Sequence, residues 1–240
     1  MKKHLIFIAF AVFGWVASYG QQVQLHERPV ADTIRPEFGP NLKKYIHAFI
    51  ECGFFIPVET SEVVDSLPFA DFVAGRSNYV LAGGRFKLKL SKWNAIGLET
   101  HLAYSSYYLK QEGVKTLPDN FVHNTERLSS FTFGLGSFHR ISYGRKGNYI
   151  GKFIDLGVEG DVTILSVHYF EDDLVNGSRR KMWYSSKKFH EVLQYDVFAR
   201  FGFNRYVIFA KYRLSKFFRE KHHFNDLPGL SAGFQVGFHQ

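Results

Sequence analysis

An all-β fold, an eight-stranded antiparallel up-and-down transmembrane β-barrel, is what the 240-residue sequence predicts. Three observations predict it. Eight segments between Tyr45 and Phe238 alternate apolar and polar residues with period two. The connections between them alternate short and long. Finally, 18% of residues are aromatic (26 Phe, 13 Tyr) beside a mean hydropathy of -0.16, so greasy and polar residues must be finely interleaved. A hydrophobic content of 45% excludes a disordered or fibrous chain. The single cysteine, Cys52, excludes an internal disulfide framework and a thiolate zinc cluster.

The first segment sets Ile46, Ala48, Ile50, Cys52 and Phe54 against Tyr45, His47, Phe49, Glu51 and Gly53. The second sets Val80, Ala82, Phe86 and Leu88 against Arg85, Lys87 and Lys89, and the third Ile96, Leu98, Leu102 and Tyr104 against Gly97, Glu99 and His101. In the fourth, Phe131, Phe133, Leu135 and Ile141 oppose Thr132, Gly134, Gly136, Phe138 and Arg140, although Ser137 and His139 fall on the greasy parity. The fifth is the cleanest, with Ile154, Leu156, Val158, Val162 and Ile164 against Asp155, Gly157, Glu159 and Asp161. The sixth opposes Leu193, Tyr195, Val197 and Phe201 to Asp196, Phe198 and Arg200. The seventh opposes Tyr206, Ile208 and Tyr212 to Phe209, Lys211 and Arg213, and the eighth Leu230, Phe234 and Val236 to Ser231, Gly233 and Gln235.

Tight connections follow the second, fourth and sixth segments, at Ser91 to Asn94, Gly144 to Asn148 and Asn204-Arg205. The other four are long. An even strand number with short periplasmic turns and four longer extracellular loops is the arrangement of an outer-membrane barrel, with both termini at the periplasmic end. The N-terminus supplies the export route. Lys2 and Lys3 precede an apolar run from Leu5 to Val16 and small residues at Ala17, Ser18 and Gly20, so residues 1–20 read as a signal peptide. Residues 21–42, with Pro29, Pro36 and Pro40, read as a flexible periplasmic arm, and 43–240 as the barrel. Removing residues 1–20 takes two of the 30 basic residues and none of the 22 acids, leaving a formal charge of +6.

Period two also describes a soluble sandwich, so the solvent is decided by where the charges fall. Turned inward, the mixed faces collect Arg85, Lys87, Lys89, Arg140, Arg200, Lys211 and Arg213 with Glu51, Glu99, Asp155, Glu159, Asp161 and Asp196. Seven cations meet six anions. In hydrocarbon the backbone must pair internally, which a closed barrel achieves by having no edge. Eight strands leave an interior that side chains just fill, so these ion pairs, with Phe49, Phe138, Phe198 and Phe209, are expected to plug the lumen. Tyr104, Tyr107 and Tyr108 are expected in the outer aromatic girdle, with Trp93, Tyr143 and Tyr206 in the inner one, and Lys152 and Lys216 as interfacial ammonium groups.

The closing stretch from Gly229 to Gln240, GLSAGFQVGFHQ, resembles the C-terminal strand of bacterial outer-membrane barrels, with Phe238 third from the end in place of a terminal aromatic. With the hairpin Val197 to Leu214, the chain resembles the small outer-membrane β-barrel, porin-family-like proteins of Bacteroidota, including the PorT-like group associated with type IX secretion. The resemblance covers about residues 43–240 and implies a bacterial outer-membrane location. It carries over no catalytic residues.

Each constellation that suggests chemistry has a plainer reading. Ser137 and His139 share the lipid face but approach the periplasmic turn. Ser166, His168 and Glu171 lie at the outer end of the fifth segment, where an interfacial histidine is the simpler account of His168 than a nucleophilic triad. His222, His223 and Asp226 could ligate a metal, yet neighbouring histidines diverge, and a solvated loop is favoured. Arg179, Arg180 and Lys181 form a basic run able to meet lipopolysaccharide phosphates, against the reading of a solvated loop. The glycines open no helix, which excludes a nucleotide fingerprint, and no nucleic-acid motif is present. No cofactor and no metal are expected. The expected role is that of a non-enzymatic structural or accessory subunit of an outer-membrane secretion or assembly complex. Its partners are lipid, lipopolysaccharide and other outer-membrane or periplasmic proteins. An outer-leaflet lipid-modifying enzyme and a small-solute channel are the alternatives.

Overall fold

The computed structural model describes residues 42–57, 71–111, 118–119, 121–143, 150–174, 176–188, 190–220 and 226–238. The expected signal peptide, nearly all of the arm, the Gly144 to Asn148 turn, and His222 and His223 lie outside the described residues.

The fold is all-β. Among the described residues nine antiparallel strands form one sheet: β1 (Lys44–Phe55), β2 (Asn78–Lys89), β3 (Asn94–Tyr108), β4 (Thr125–Tyr143), β5 (Lys152–Asp173), β6 (Arg179–Ser185), β7 (Leu193–Phe203), β8 (Tyr206–Arg213) and β9 (Leu230–Phe238). The sheet closes on itself because β4 pairs with β5 as well as with β3. The closed circuit runs β1, β2, β3, β4, β5, β7, β8, β9 and back to β1. β6 stands outside it and, among the described residues, pairs only with the far end of β5, from Val167 to Asp173.

Closure follows from the alternation. Along β4, even-numbered residues from Thr132 to Ser142 are buried and odd-numbered ones from Phe133 to Tyr143 are exposed. The same period governs β7 and β8. Each strand thus turns one row into the ring and the other away from it. Two connections at one end are tight. Ser91 Oγ accepts from the backbone N–H of Trp93 and Asn94, and at Asn204 φ is +55°, the left-handed geometry that a two-residue hairpin turn requires. β1 begins and β9 ends at this same end, where Lys44 faces Leu88 and Ala48 faces Phe238.

Two departures from strict alternation reshape the opposite end. In the β4–β5 pairing the register shifts between Phe131, opposite Leu165, and Thr132, opposite Thr163. Ile164 is the extra residue of a β-bulge. Before it the odd residues of β5 point inward; after it Ser166, His168 and Phe170 do. The inserted residue inverts the parity and buries His168, which the sequence reading had set at the outer end of the fifth segment as an interfacial histidine. The second departure is β6. Leu174 and Ser178 close a hairpin through Leu174 N–H to Ser178 O, with φ +76° at Gly177. It places Arg179, Arg180 and Lys181 directly opposite Asp173, Asp172 and Glu171. The basic run is thus strand, where a loop was expected.

The apolar core lies at the long-loop end of the ring. Phe55, Tyr107, Leu109, Leu128 and Phe209 pack there with Phe72, Phe217, Phe218 and Leu227 from the loops. Tyr107, expected in an outer girdle, is only 2% exposed and stacks on Phe55 at 4.1 Å. Counting by two from the outward Tyr104 shows why: position 107 falls on the inward row.

Candidate functional site

The interior of the ring is the first candidate. All the charged residues expected there are buried except Lys89, which is half-buried. They interlock in tiers along the axis. Nearest the short turns, Lys87 Nζ lies 5.7 Å from the Tyr45 ring centroid. Next, Arg140 donates to both Asp155 oxygens at 2.7 Å, with its guanidinium 3.6 Å from the Phe153 ring centroid. Residues 140 and 155 are register partners, so the pairing is set by the β4–β5 ladder itself.

The middle tier turns on Glu99. Arg85, its register partner on β2, donates Nε to Oε2 at 2.9 Å, while Arg200 reaches over from β7 with Nη2 to Oε1 at 2.8 Å. Arg85 also donates to Gln235 Oε1 at 3.1 Å. Above it, Glu51 accepts from Tyr79 Oη at 2.7 Å and lies 3.7 Å from Lys211 Nζ. Lys211 forms its closest pair with Glu159, and His101 Nε2 meets Asp161 Oδ1 at 3.0 Å. Ligand atoms of Glu159, Asp161 and Asp196 lie within 4.8 Å of one another. At the loop end Arg213 donates to Tyr107 Oη, Ser215 O and Leu227 O, and pairs with Asp226 at 3.4 Å. Asp226 Oδ1 also accepts from the backbone N–H of Phe217 and Leu227. Asp226, weighed in the sequence as a metal ligand, is thus committed to pinning the loop.

Glycines make room for the rings between the tiers. Phe138 lies over Gly97, Phe198 over Gly157 and Phe153 over Gly202, each a register pair on adjacent strands. A Cβ on any of the three glycines would sit 2.0 to 2.3 Å from the ring. Phe153 was missed in the sequence because the fifth segment was started one residue too late; its odd number gives its inward parity.

The second candidate is the rim beyond the bulge. His168 Nε2 meets Glu126 Oε1 at 2.7 Å, and Gln111 Nε2 donates to the other oxygen at 2.8 Å. His123 stands between two carboxylates, with Nδ1 at 2.7 Å from Asp172 and Nε2 at 3.0 Å from Asp119. It stacks on Phe170 at 4.2 Å. Burial raises the Asp172 carboxyl, but hydrogen bonds from His123 and Arg180 outweigh it and leave the group below its ordinary value. Of these residues the sequence had singled out only His168 and Arg180; a bulge and two loops assemble the rest. Nearby, burial among Phe217 and Phe218 pushes His190 down to about 3, with the positive charge of Arg213 adding to it.

The remaining sequence candidates stay apart. Ser137 and His139 lie on the exposed face near the short turns, far along β4 from the rim. Ser166 bonds Ser186 and not His168, so among the described residues no nucleophile is paired with that histidine. Arg179, Arg180 and Lys181 are answered by carboxylates: Arg179 by Asp173 and Glu171 at 3.0 and 3.1 Å, Arg180 by Asp172 at 3.1 Å, Lys181 by Glu171 at 3.5 Å. An incoming phosphate competes with these partners. Cys52 is exposed on the outward row. No protein-family model matches the chain, and no curated protein matches it.

Proposed function

We propose that the chain is an occluded eight-stranded β-barrel of a bacterial outer membrane, acting as a non-enzymatic structural or accessory subunit of a secretion or assembly complex. One observation carries the reading: the ring is apolar outside and ionic inside. Ile46 is 68%, Leu98 62%, Leu135 60% and Phe234 70% exposed on its outer surface, while Arg85, Arg140, Arg200 and Glu51 are at most 1% exposed within. Soluble monomers rarely leave continuous apolar surface beyond a few hundred Å². A bilayer accepts such a surface, provided that backbone groups are paired within the ring.

The length of the strands supports the same placement. A strand of 22 residues spans roughly 70 Å, more than twice the apolar band of an outer membrane. On β5 the exposed apolar row ends at Leu165, and Tyr169 and Glu171 follow on that face. The far ends of β4 and β5, with β6, then project beyond the lipid. The charged tiers and the aromatic cap close the bore, which favours a structural part over a channel. Recruitment to a secretion complex rests on the resemblance of the strand pattern and C-terminus to PorT-like barrels.

The test is reconstitution of the full chain into planar bilayers, with mass spectrometry of lipid A from cells that express it. The expected results are sheet signal in vesicles, mobility on gels that changes on boiling, no steady conductance and unaltered acyl chains. Large steady channels or a changed lipid A overturn the proposal, as does a chain that stays dissolved without detergent.

A further inference from the structure

We propose that Asp119, Glu126 and His168 form a binding site for one divalent transition-metal ion of the zinc class at the rim of the ring. One ligand atom from each residue lies within 4.8 Å of the others. Donors around a tetrahedral ion bound at about 2.0 to 2.2 Å stand roughly 3.3 to 3.6 Å apart, so short side-chain adjustments bring this set into coordinating range. One imidazole nitrogen with two carboxylate oxygens suits borderline metals such as zinc, whereas calcium takes six to eight oxygens. The charges balance as well, because two carboxylates and a neutral imidazole offset a dication.

The site is built as well as composed. Glu126 and His168 stand on adjacent strands, and their side chains are 0% and 9% exposed. Gln111 holds one Glu126 oxygen, which aims Oε1 at His168 Nε2. Asp119 is oriented through His123. Both its oxygens face His123 Nε2, at 3.2 and 3.0 Å, and His123 is fixed through Nδ1 by Asp172 and through its backbone N–H by Gln111 Oε1. A histidine backed by one carboxylate and steadying another is the outer-shell arrangement that tunes metal ligands. Such an ion ties the β3–β4 loop, which carries Asp119, to strands β4 and β5. The proposal concerns the projecting rim and does not depend on the membrane reading.

The experiment uses the full chain in detergent micelles, stripped with a chelator and titrated with Zn²⁺ by calorimetry. Co²⁺ serves as the spectroscopic probe. One Zn²⁺ per chain is expected, with visible Co²⁺ absorption that disappears in His168→Ala. His168→Ala, Glu126→Gln and Asp119→Asn should each weaken Zn²⁺ binding by roughly tenfold or more, and His123→Ala by about tenfold. Glu220→Gln, at an exposed loop pair with Lys216, should bind as the parent does. Far-UV circular dichroism identifies folded variants, and the loop position of Asp119 makes Asp119→Asn the decisive one should the strand variants lose their sheet signal. Failure of the parent chain to take up Zn²⁺ at tens of micromolar, or undiminished binding by the folded ligand variants, overturns the site.

Discussion

Arg200 on β7 and Glu99 on β3 meet fork to fork across the ring, Nη2 to Oε1 at 2.8 Å and Nη1 to Oε2 at 2.9 Å. Because Arg85 donates to the same carboxylate, one anion holds two buried guanidiniums. Glu99→Gln removes the charge and keeps the shape, leaving two cations side by side. The expected loss is about 3 to 5 kcal/mol, the cost of breaking a buried pair by removing one partner. Replacing all three with leucine should cost much less, since no charge is then left buried alone. Urea unfolding in lipid vesicles measures both. A Glu99→Gln protein as stable as the parent contradicts the role given to this tier.

The glycine and phenylalanine pairs permit a sharper comparison. At Gly202 the three atoms nearest an added Cβ all belong to the ring of Phe153, whereas at Gly157 the backbone oxygen of Ser137 at 2.4 Å stands among the nearest atoms beside the ring of Phe198. Gly202→Ala and Gly157→Ala should each destabilise by about 1 to 3 kcal/mol, as overpacking does. Phe153→Leu should restore part of the loss at Gly202, because a smaller side chain yields. Phe198→Leu should restore little at Gly157, where the ladder itself is in the way. Equal rescue at both sites would show that the rings alone set the spacing.

His190 gives the loop cap a dependence on acid. Its folded value lies near 3 against an ordinary 6.5, because burial disfavours the charged ring. The unfolded chain therefore binds a proton that the folded one refuses between those values, and stability falls as pH drops from about 6.5 towards 3. Above 6.5 both states are neutral and the contribution is flat. His190→Phe should remove this part of the pH dependence while keeping the packing against Phe217 and Phe218. Protease cleavage of the loops between pH 7 and pH 4 reports it, and a variant as acid-labile as the parent argues against His190 as the source.

How much of this was legible in the sequence follows from what sets each feature. Period two is local, so the inward placement of Arg85, Glu99, Asp155 and Arg200 and the outward placement of Leu98 and Leu156 can be counted from one end of a strand. Cross-strand partners such as Arg140 and Asp155 are a matter of register, which turns and closure decide together. The bulge at Ile164 has no signature in composition, since an apolar residue beside Leu165 reads as one more lipid-facing position; the burial of His168 beyond it could therefore not be counted from the period. The rim escaped notice because Asp119, His123 and Glu126 lie some 40 residues or more from His168 and Asp172 in the chain. β6 was hidden for another reason. Its exposure is nearly uniform along its length, so no alternation marks it, and its strand character comes from the acidic partners on β5.

Those partners make the last expectation specific. Arg179 is shared between Asp173 and Glu171, and Lys181 also faces Glu171, so the basic run is largely neutralised where it stands. Lipid A phosphates should then bind the parent protein weakly, and substituting the three cations with alanine should change that little. Glu171→Gln with Asp173→Asn frees two cations and should raise phosphate binding by about tenfold, the effect of one charge-assisted hydrogen bond regained. The gain should fade with salt, because these groups are exposed. Binding to lipid A vesicles at low and high ionic strength is the measurement. Strong parent binding that vanishes in the triple alanine variant would instead make the hairpin a lipopolysaccharide site whose carboxylates give way to phosphate.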